Sequence, residues 1–343
     1  MQAVVSSSPI RHQLPAYPKN RLSEHILRSG FSSRMHATEE DLQLTDQFLE
    51  PVRQEIVQLF AQYRHAVDAE IRSQFGAEEL AQAACSGIRV AREYPCGWCD
   101  EIQTGIFERL MKKIDRCRDD SISLRPLRAA RRAGCTMKLA YGIGHGAQGD
   151  YFQNLIQLGS WVVDCAPDST TTLEPMAVAI HPINSGAFRN LDSFDGYYRA
   201  AAQYWGCRAY SLAEHLPALA PLCPAILLFA DQTYAIHVDE ALLNRNVALG
   251  FSLSLDFFRG WRDPSALPDW CRQGLKKRFS NEDSVWRFCE RGRSTVRSAV
   301  ELCHEYRSYW RALMKRPSHA PEVEEHLAFL KGFARRVSEY NPL

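Results

Sequence analysis

Hydrophobic positions change period twice along the chain, and the changes divide it into a helical, a sheet and a second helical region. Val52, Ile56, Leu59, Phe60, Tyr63, Val67 and Ile71 recur at helical spacing and predict a long amphipathic helix that ends near Phe75-Gly76. Ahead of it, Thr38-Glu39-Glu40-Asp41 has the spacing of a capping box, with Asp in place of Glu. A further helix is expected over roughly residues 77–92. The next starts at Cys99, with Ile102, Ile106, Leu110 and Ile114 every fourth position.

Beyond the charged loop 115–120 and a basic segment, the period shortens to that of strands. Strands are expected at 136–141, 151–158 and 161–165, the last two joined by a tight Gly159-Ser160 turn. Further strands are expected at 176–183, 225–230 and 233–238. Helical stripes then return through Val285, Phe288, Val296, Val300 and Trp310, and through Val323, Leu327, Leu330 and Val337. Helices, then an antiparallel sheet, then helices predict an α+β fold. The expected division is an N-terminal arm over 1–37, an α+β core with its preceding helices over 38–240, and a helical C-terminal region over 241–343 packed on the core.

Composition narrows the function classes. The chain has 343 residues, 45% of them hydrophobic, with 41 Lys+Arg against 40 Asp+Glu, a formal charge of +1. That balance, with basic clusters as short as Arg125–Arg132, argues against a polyanionic partner such as nucleic acid. The longest uncharged apolar stretch, Leu216–Ala230, is interrupted by Pro217, Pro221 and Pro224, so no membrane span is expected. The N-terminus lacks the charge and apolar run of a secretory signal, so a cytoplasmic site is expected. Its Ser-rich start also suits a bacterial effector exported without such a signal. The eleven cysteines are scattered and odd in number, which predicts free thiols and not a disulfide frame.

One cysteine has a neighbourhood suited to chemistry. In Tyr94-Pro-Cys96-Gly97-Trp98-Cys99-Asp100-Glu101, Pro95 and Gly97 end one element and Cys99 opens a helix. A helix start offers unpaired N–H groups to a thiolate or an oxyanion, whereas Asp100 and Glu101 oppose the thiolate if they point at the sulfur. Cys96-x-x-Cys99 leaves a zinc site or a redox pair open, although no second ligand pair follows at zinc-ribbon spacing and no βαβ pattern surrounds it. No metal or cofactor motif is found: Gly142-Ile-Gly144-His-Gly146 is not followed by the helix that a dinucleotide fingerprint requires. Downstream, His145 stands in a glycine-rich segment, and Asp164 ends an apolar strand where a buried carboxylate needs a partner. His181, His215 and His237 lie near apolar strands, where hydrogen-bonded core histidines are expected.

The order Gly97-Trp98-Cys99, His145, then Gly159-Ser160-Trp161-Val-Val-Asp164 resembles the transglutaminase-like branch of the papain-like cysteine enzymes. The similarity spans residues 94–169, roughly a fifth of the chain. It implies a Cys99, His145, Asp164 triad acting through a thioester on an amide or acyl group of a protein or small molecule, by hydrolysis, deamidation or transfer. Trp98, Gln153, Asn154 and Trp161 would then line the substrate site. One departure is visible: counting back from Trp161, the family's histidine falls near Asp150, five residues after His145, which leaves His181 as the alternative base. A non-catalytic interaction scaffold and a Cys/His metal-binding protein are the competing readings.

Overall fold

A computed structural model describes residues 34–80, 84–85, 88–89, 94–95, 97–116, 124–146, 149–169, 178–212, 223–260 and 267–279. Helix α1 (Glu39–Leu44) starts with the expected capping box: the Thr38 hydroxyl accepts from the Asp41 N–H, and the Asp41 carboxylate accepts from Thr38. A π turn (Thr45–Leu49) and a 3₁₀ turn (Glu50–Val52) lead into α2 (Arg53–Gln74). Its stripe Ile56, Leu59, Phe60, Val67 and Ile71 is buried, as its spacing predicts.

The helix expected over 77–92 stops early. Helix α3 is only Ala77–Leu80, followed by β1 (Ala84–Cys85) paired antiparallel with β2 (Ile88–Arg89). Helix α4 (Cys99–Arg116) begins at the expected residue and buries Ile102, Ile106, Leu110 and Ile114. Helix α5 (Leu124–Arg132) occupies the basic segment, where no element was expected. Leu124, Leu127 and Ala130 face inward while its arginines crowd the sequence with charge.

The main sheet contains β3 (Met137–Gly146), β4 (Gly149–Leu158), β5 (Trp161–Asp164), β6 (Ala179–Pro182) and β7 (Phe188–Asn190), in the order β6-β5-β4-β3-β7 and antiparallel throughout. Helix α6 (Phe194–Tyr204) follows, capped by Ser193, and then a three-stranded sheet of β8 (Arg208–Ser211), β9 (Ala225–Leu228) and β10 (Tyr234–His237). Helices α7 (Glu240–Ala248), α8 (Ser252–Gly260) and α9 (Asp269–Phe279) complete the described chain. The fold is thus mixed helix and antiparallel sheet. The C-terminal stripes at 285–310 and 323–337 lie outside the described residues, as do the arm over 1–33, Cys96 and His215. Among the described residues no helix is long and apolar enough to cross a membrane.

One face of the main sheet carries two separate cores. Leu139, Ile156, Leu158, Trp161 and Val163 pack with α2 and α4. Farther along the same strands, Ile143 and Phe152 pack with α6 and the second sheet. Each buried Leu, Ile, Val or Phe side chain contributes roughly 1.5–3 kcal/mol, so the two helices are held where apolar strand residues are densest. The pair Tyr141 and Asn154, directly opposite in the β3–β4 register, falls at the boundary between the cores.

Candidate functional site

The start of α4 is fixed from three sides. Gly97 N–H donates to the Ser169 carbonyl at 3.1 Å, and Trp98 N–H to the Pro95 carbonyl at 3.0 Å. The Trp98 ring is buried against Phe75 and Tyr94, with ring centroids 5.0 and 5.9 Å away. Beneath this segment lies Arg64 of α2, fully buried. It donates to both Asp168 carboxylate oxygens at 2.9 and 3.0 Å, to the Cys165 carbonyl at 2.6 Å and to Asp68 at 2.7 Å. Tyr94 donates to the same Asp68 oxygen. A buried guanidinium needs such a set of acceptors, and the set ties α2 to the turns on both sides of the Cys99 helix start.

Cys99 is buried, 9% exposed, and its sulfur faces β4. Asn154 donates through Nδ2 to Cys99 Sγ at 3.5 Å and to Asp100 Oδ1 at 3.3 Å, so one amide nitrogen holds both the thiol and the next carboxylate. Burial raises the Asp100 carboxyl well above the ordinary range. It raises Glu101 as well, with the neighbouring Asp100 adding to the shift. Tyr141 stands beside Asn154 across the strand pair, and its phenol is pushed up, first by burial and then by Asp239, Tyr197 and Cys99. The boundary between the two cores is therefore polar: a thiol, two protonation-prone carboxyls, an amide and a phenol meet there.

The expected triad is not assembled. His145 lies in strand β3 and not in a loop, opposite Asp150, four residues along the register from Tyr141 and Asn154. At about 3.4 Å per residue this is a separation of about 14 Å along the strands. Its ring Nδ1 pairs with Asp150 Oδ1 at 2.9 Å, at the solvent end of the hairpin. Asp164 holds no imidazole either. Its Oδ1 accepts from Gln153 Nε2 at 2.8 Å, Gln103 Nε2 at 3.3 Å and Ala166 N–H at 2.9 Å. Burial pushes this carboxyl up to about 6, against the lowering effect of the Ala166 and Gln153 hydrogen bonds. Gln153 is fully buried in this network, so Gln153 and Asp164 form an internal brace between β4, β5 and α4.

Of the other expected substrate contacts, Trp98 and Trp161 are core residues, the latter with the Arg53 guanidinium 5.4 Å from its ring centroid. Asn154 hydrogen-bonds to Cys99. His181, the alternative base, belongs to β6 and has its ring 5.7 Å from Phe188; its pKa is lowered by burial and by Arg53. His237 is a core histidine, as expected: it is buried, hydrogen-bonded to the Tyr197 hydroxyl and pushed down to about 4 by burial. Asp100, Glu101 and Tyr141 are site residues that the sequence did not single out for a constructive role. The signal available for Tyr141 was its place in β3 opposite Asn154, which needs the register.

Among the described residues no group of three or more His, Cys, Asp or Glu side chains is arranged to hold a metal ion. Cys99, Cys135, Cys165, Cys207, Cys223 and Cys271 are free thiols. No protein-family model matches the chain, and no curated protein or solved structure matches it.

Proposed function

We propose that this protein is a cysteine-nucleophile enzyme acting on an amide or acyl group, with Cys99 at the start of α4 as the nucleophile on a transglutaminase-like core. The observation that carries this reading is the Asn154 amide nitrogen placed 3.5 Å from Cys99 Sγ at a helix N-terminus. In this scheme the sulfur attacks the carbonyl carbon, and the oxyanion accepts hydrogen bonds from the Asn154 amide and from first-turn N–H groups of α4. The thiol proton goes to the Asp100 carboxylate, whose affinity for a proton is raised by burial, and returns to the departing amine. Water or a second amine then takes the acyl group from the thioester, giving hydrolysis, deamidation or transfer. The role of base passes from His145 to Asp100 because Asp100 shares an amide with the sulfur, whereas His145 pairs with Asp150.

A second reading, a non-catalytic interaction protein, draws on one observation: the side chain facing Cys99 is an amide, which cannot accept a thiol proton as an imidazole would. Mass-spectrometric mapping of iodoacetamide labelling over pH 6–9 separates the two. The enzyme reading expects one rapidly modified cysteine, Cys99, and loss of that signal in Cys99→Ala. If Cys99 reacts no faster than the buried Cys135 and Cys271, the interaction protein is the correct reading.

A further inference from the structure

The open end of the β3–β4 hairpin has chemistry of its own, separate from the Cys99 boundary. A surface pocket of about 490 Å³ is lined there by His145, Gly149, Asp150, Arg189, Arg199 and Gln203. This volume lies in the range of small-molecule sites, roughly 300–1,000 Å³. The pocket is built by close approach of β4 to α6. Gly149 has φ +104°, and a Cβ there would come within 2.8 Å of Gln203 Oε1. The next residue, Asp150, donates its N–H to that same oxygen at 2.7 Å.

Hydrogen bonding in this pocket sorts acceptors inward and donors outward. The Asp150 side chain is only 13% exposed, and its two oxygens are taken by His145 Nδ1 and by Arg189. With Gln203 Oε1 also occupied, the amide NH₂ is that side chain's remaining hydrogen-bonding group. The Arg189 and Arg199 side chains are 57% and 68% exposed. Arg199 is paired with Asp195 one helical turn away, an exposed contact of the kind that contributes only about 0.3–0.5 kcal/mol. A ligand can therefore replace that partner at small cost. The lining holds two permanent cations against one carboxylate, which is covered and already neutralised.

We propose that this pocket binds a small-molecule oxyanion, a phosphate or carboxylate group, between the guanidinium groups of Arg189 and Arg199, with the Gln203 amide as a further donor and His145 as one wall. Guanidinium groups present paired N–H donors that match such oxyanions. The glycine-flanked histidine thereby belongs to a ligand pocket and not to the thiol site, and the proposal stands whether or not Cys99 is a nucleophile.

The test is isothermal titration of the full chain with inorganic phosphate, with acetate, and with chloride at matched ionic strength. Saturable one-to-one binding of phosphate or acetate is expected, weakened by about tenfold or more in Arg199→Gln and lost in Arg189→Gln/Arg199→Gln. It should be retained in Arg132→Gln, which alters an exposed arginine of α5 outside the pocket. Tighter binding of phosphate than of acetate assigns a phosphorylated ligand, and the reverse assigns a carboxylate. Heats indistinguishable from chloride, or equal affinity in Arg199→Gln and the unaltered chain, overturn the proposal. Arg199 is exposed, so this single variant tests the pocket without depending on a buried contact.

Discussion

Two regions of the same strand pair, four residues apart, have been built in opposite ways. At Tyr141 and Asn154 the strands pass between two apolar cores, and every polar group is desolvated, braced or shared: one amide nitrogen holds a thiol and a carboxylate. At His145 and Asp150 the strands reach solvent, and the polar groups are ion pairs with exposed partners. The difference shows that proximity in the chain and on one strand does not make a shared site. What counts is which side of the core boundary a residue falls on, because burial alone changes the proton affinity of a carboxyl, and exposure leaves charges screened.

The largest expected effect tests how firmly the thiol region is held. Arg64→Met removes the guanidinium that the Asp168 carboxylate and the Cys165 carbonyl accept from, and leaves buried acceptors without a donor. A loss of about 3–5 kcal/mol is expected, read as a large fall in melting temperature. Arg189→Gln at the hairpin end removes a half-exposed guanidinium from Asp150, which keeps its His145 contact, and a change below about 1 kcal/mol is expected. Comparable losses in the two variants would erase the contrast between the regions.

The pH dependence of stability comes next in size. Asp164, held up to about 6 by burial, and Asp100 and Glu101, also raised by burial, keep their protons in the folded chain to a higher pH than in the unfolded chain. Where the folded state binds more protons, stability falls as pH rises, here from about 4 through neutrality. His237 acts in the other direction. Pushed down to about 4, it stays neutral in the fold while the unfolded chain takes up a proton below about 6.5, so its contribution falls with acidification. Melting curves from pH 5 to 8 should therefore show a smaller decline on the alkaline side in Asp100→Asn/Glu101→Gln than in the unaltered chain. An unchanged slope would mean that these carboxyls ionise as they do in water.

Much of this architecture was legible from periodicity. The four-residue spacing of Ile102, Ile106, Leu110 and Ile114 fixed α4, and the break at Pro95 and Gly97 placed Cys99 at its start. Strands β3, β4 and β5 followed from their apolar runs and the Gly159-Ser160 turn. Helix α5 was hidden because Arg125, Arg128, Arg131 and Arg132 masked the inward Leu124, Leu127 and Ala130. The strand expected over 136–141 stops short of His145, whereas β3 runs on to Gly146, because glycines disfavour strand interiors and hide the extension. They are tolerated here because the Tyr151 side chain lies over Gly144, where a Cβ would come within 2.4 Å of its ring. The site's composition depended on register. The β3–β4 register sets Asn154, and not a histidine, opposite Tyr141 at the boundary beside Cys99, and cross-strand register is not readable from one chain's spacing alone.

The smallest expected effect is the most discriminating. His145→Ala removes a 77% exposed imidazole whose contact is Asp150, so stability should change by less than about 0.5 kcal/mol and the labelling rate of Cys99 should not change. If His145 served the thiol as its base, the same substitution would slow that labelling by a large factor, since positioned bases contribute about 10²–10⁴-fold. The reciprocal change, Asn154→His, puts an imidazole where the Asn154 amide now meets the sulfur, and faster labelling of Cys99 is expected. A chain in which His145→Ala slows the reaction and Asn154→His leaves it unchanged would mean that the hairpin end reaches the thiol in solution, and that the separation of about 14 Å along the strands does not persist.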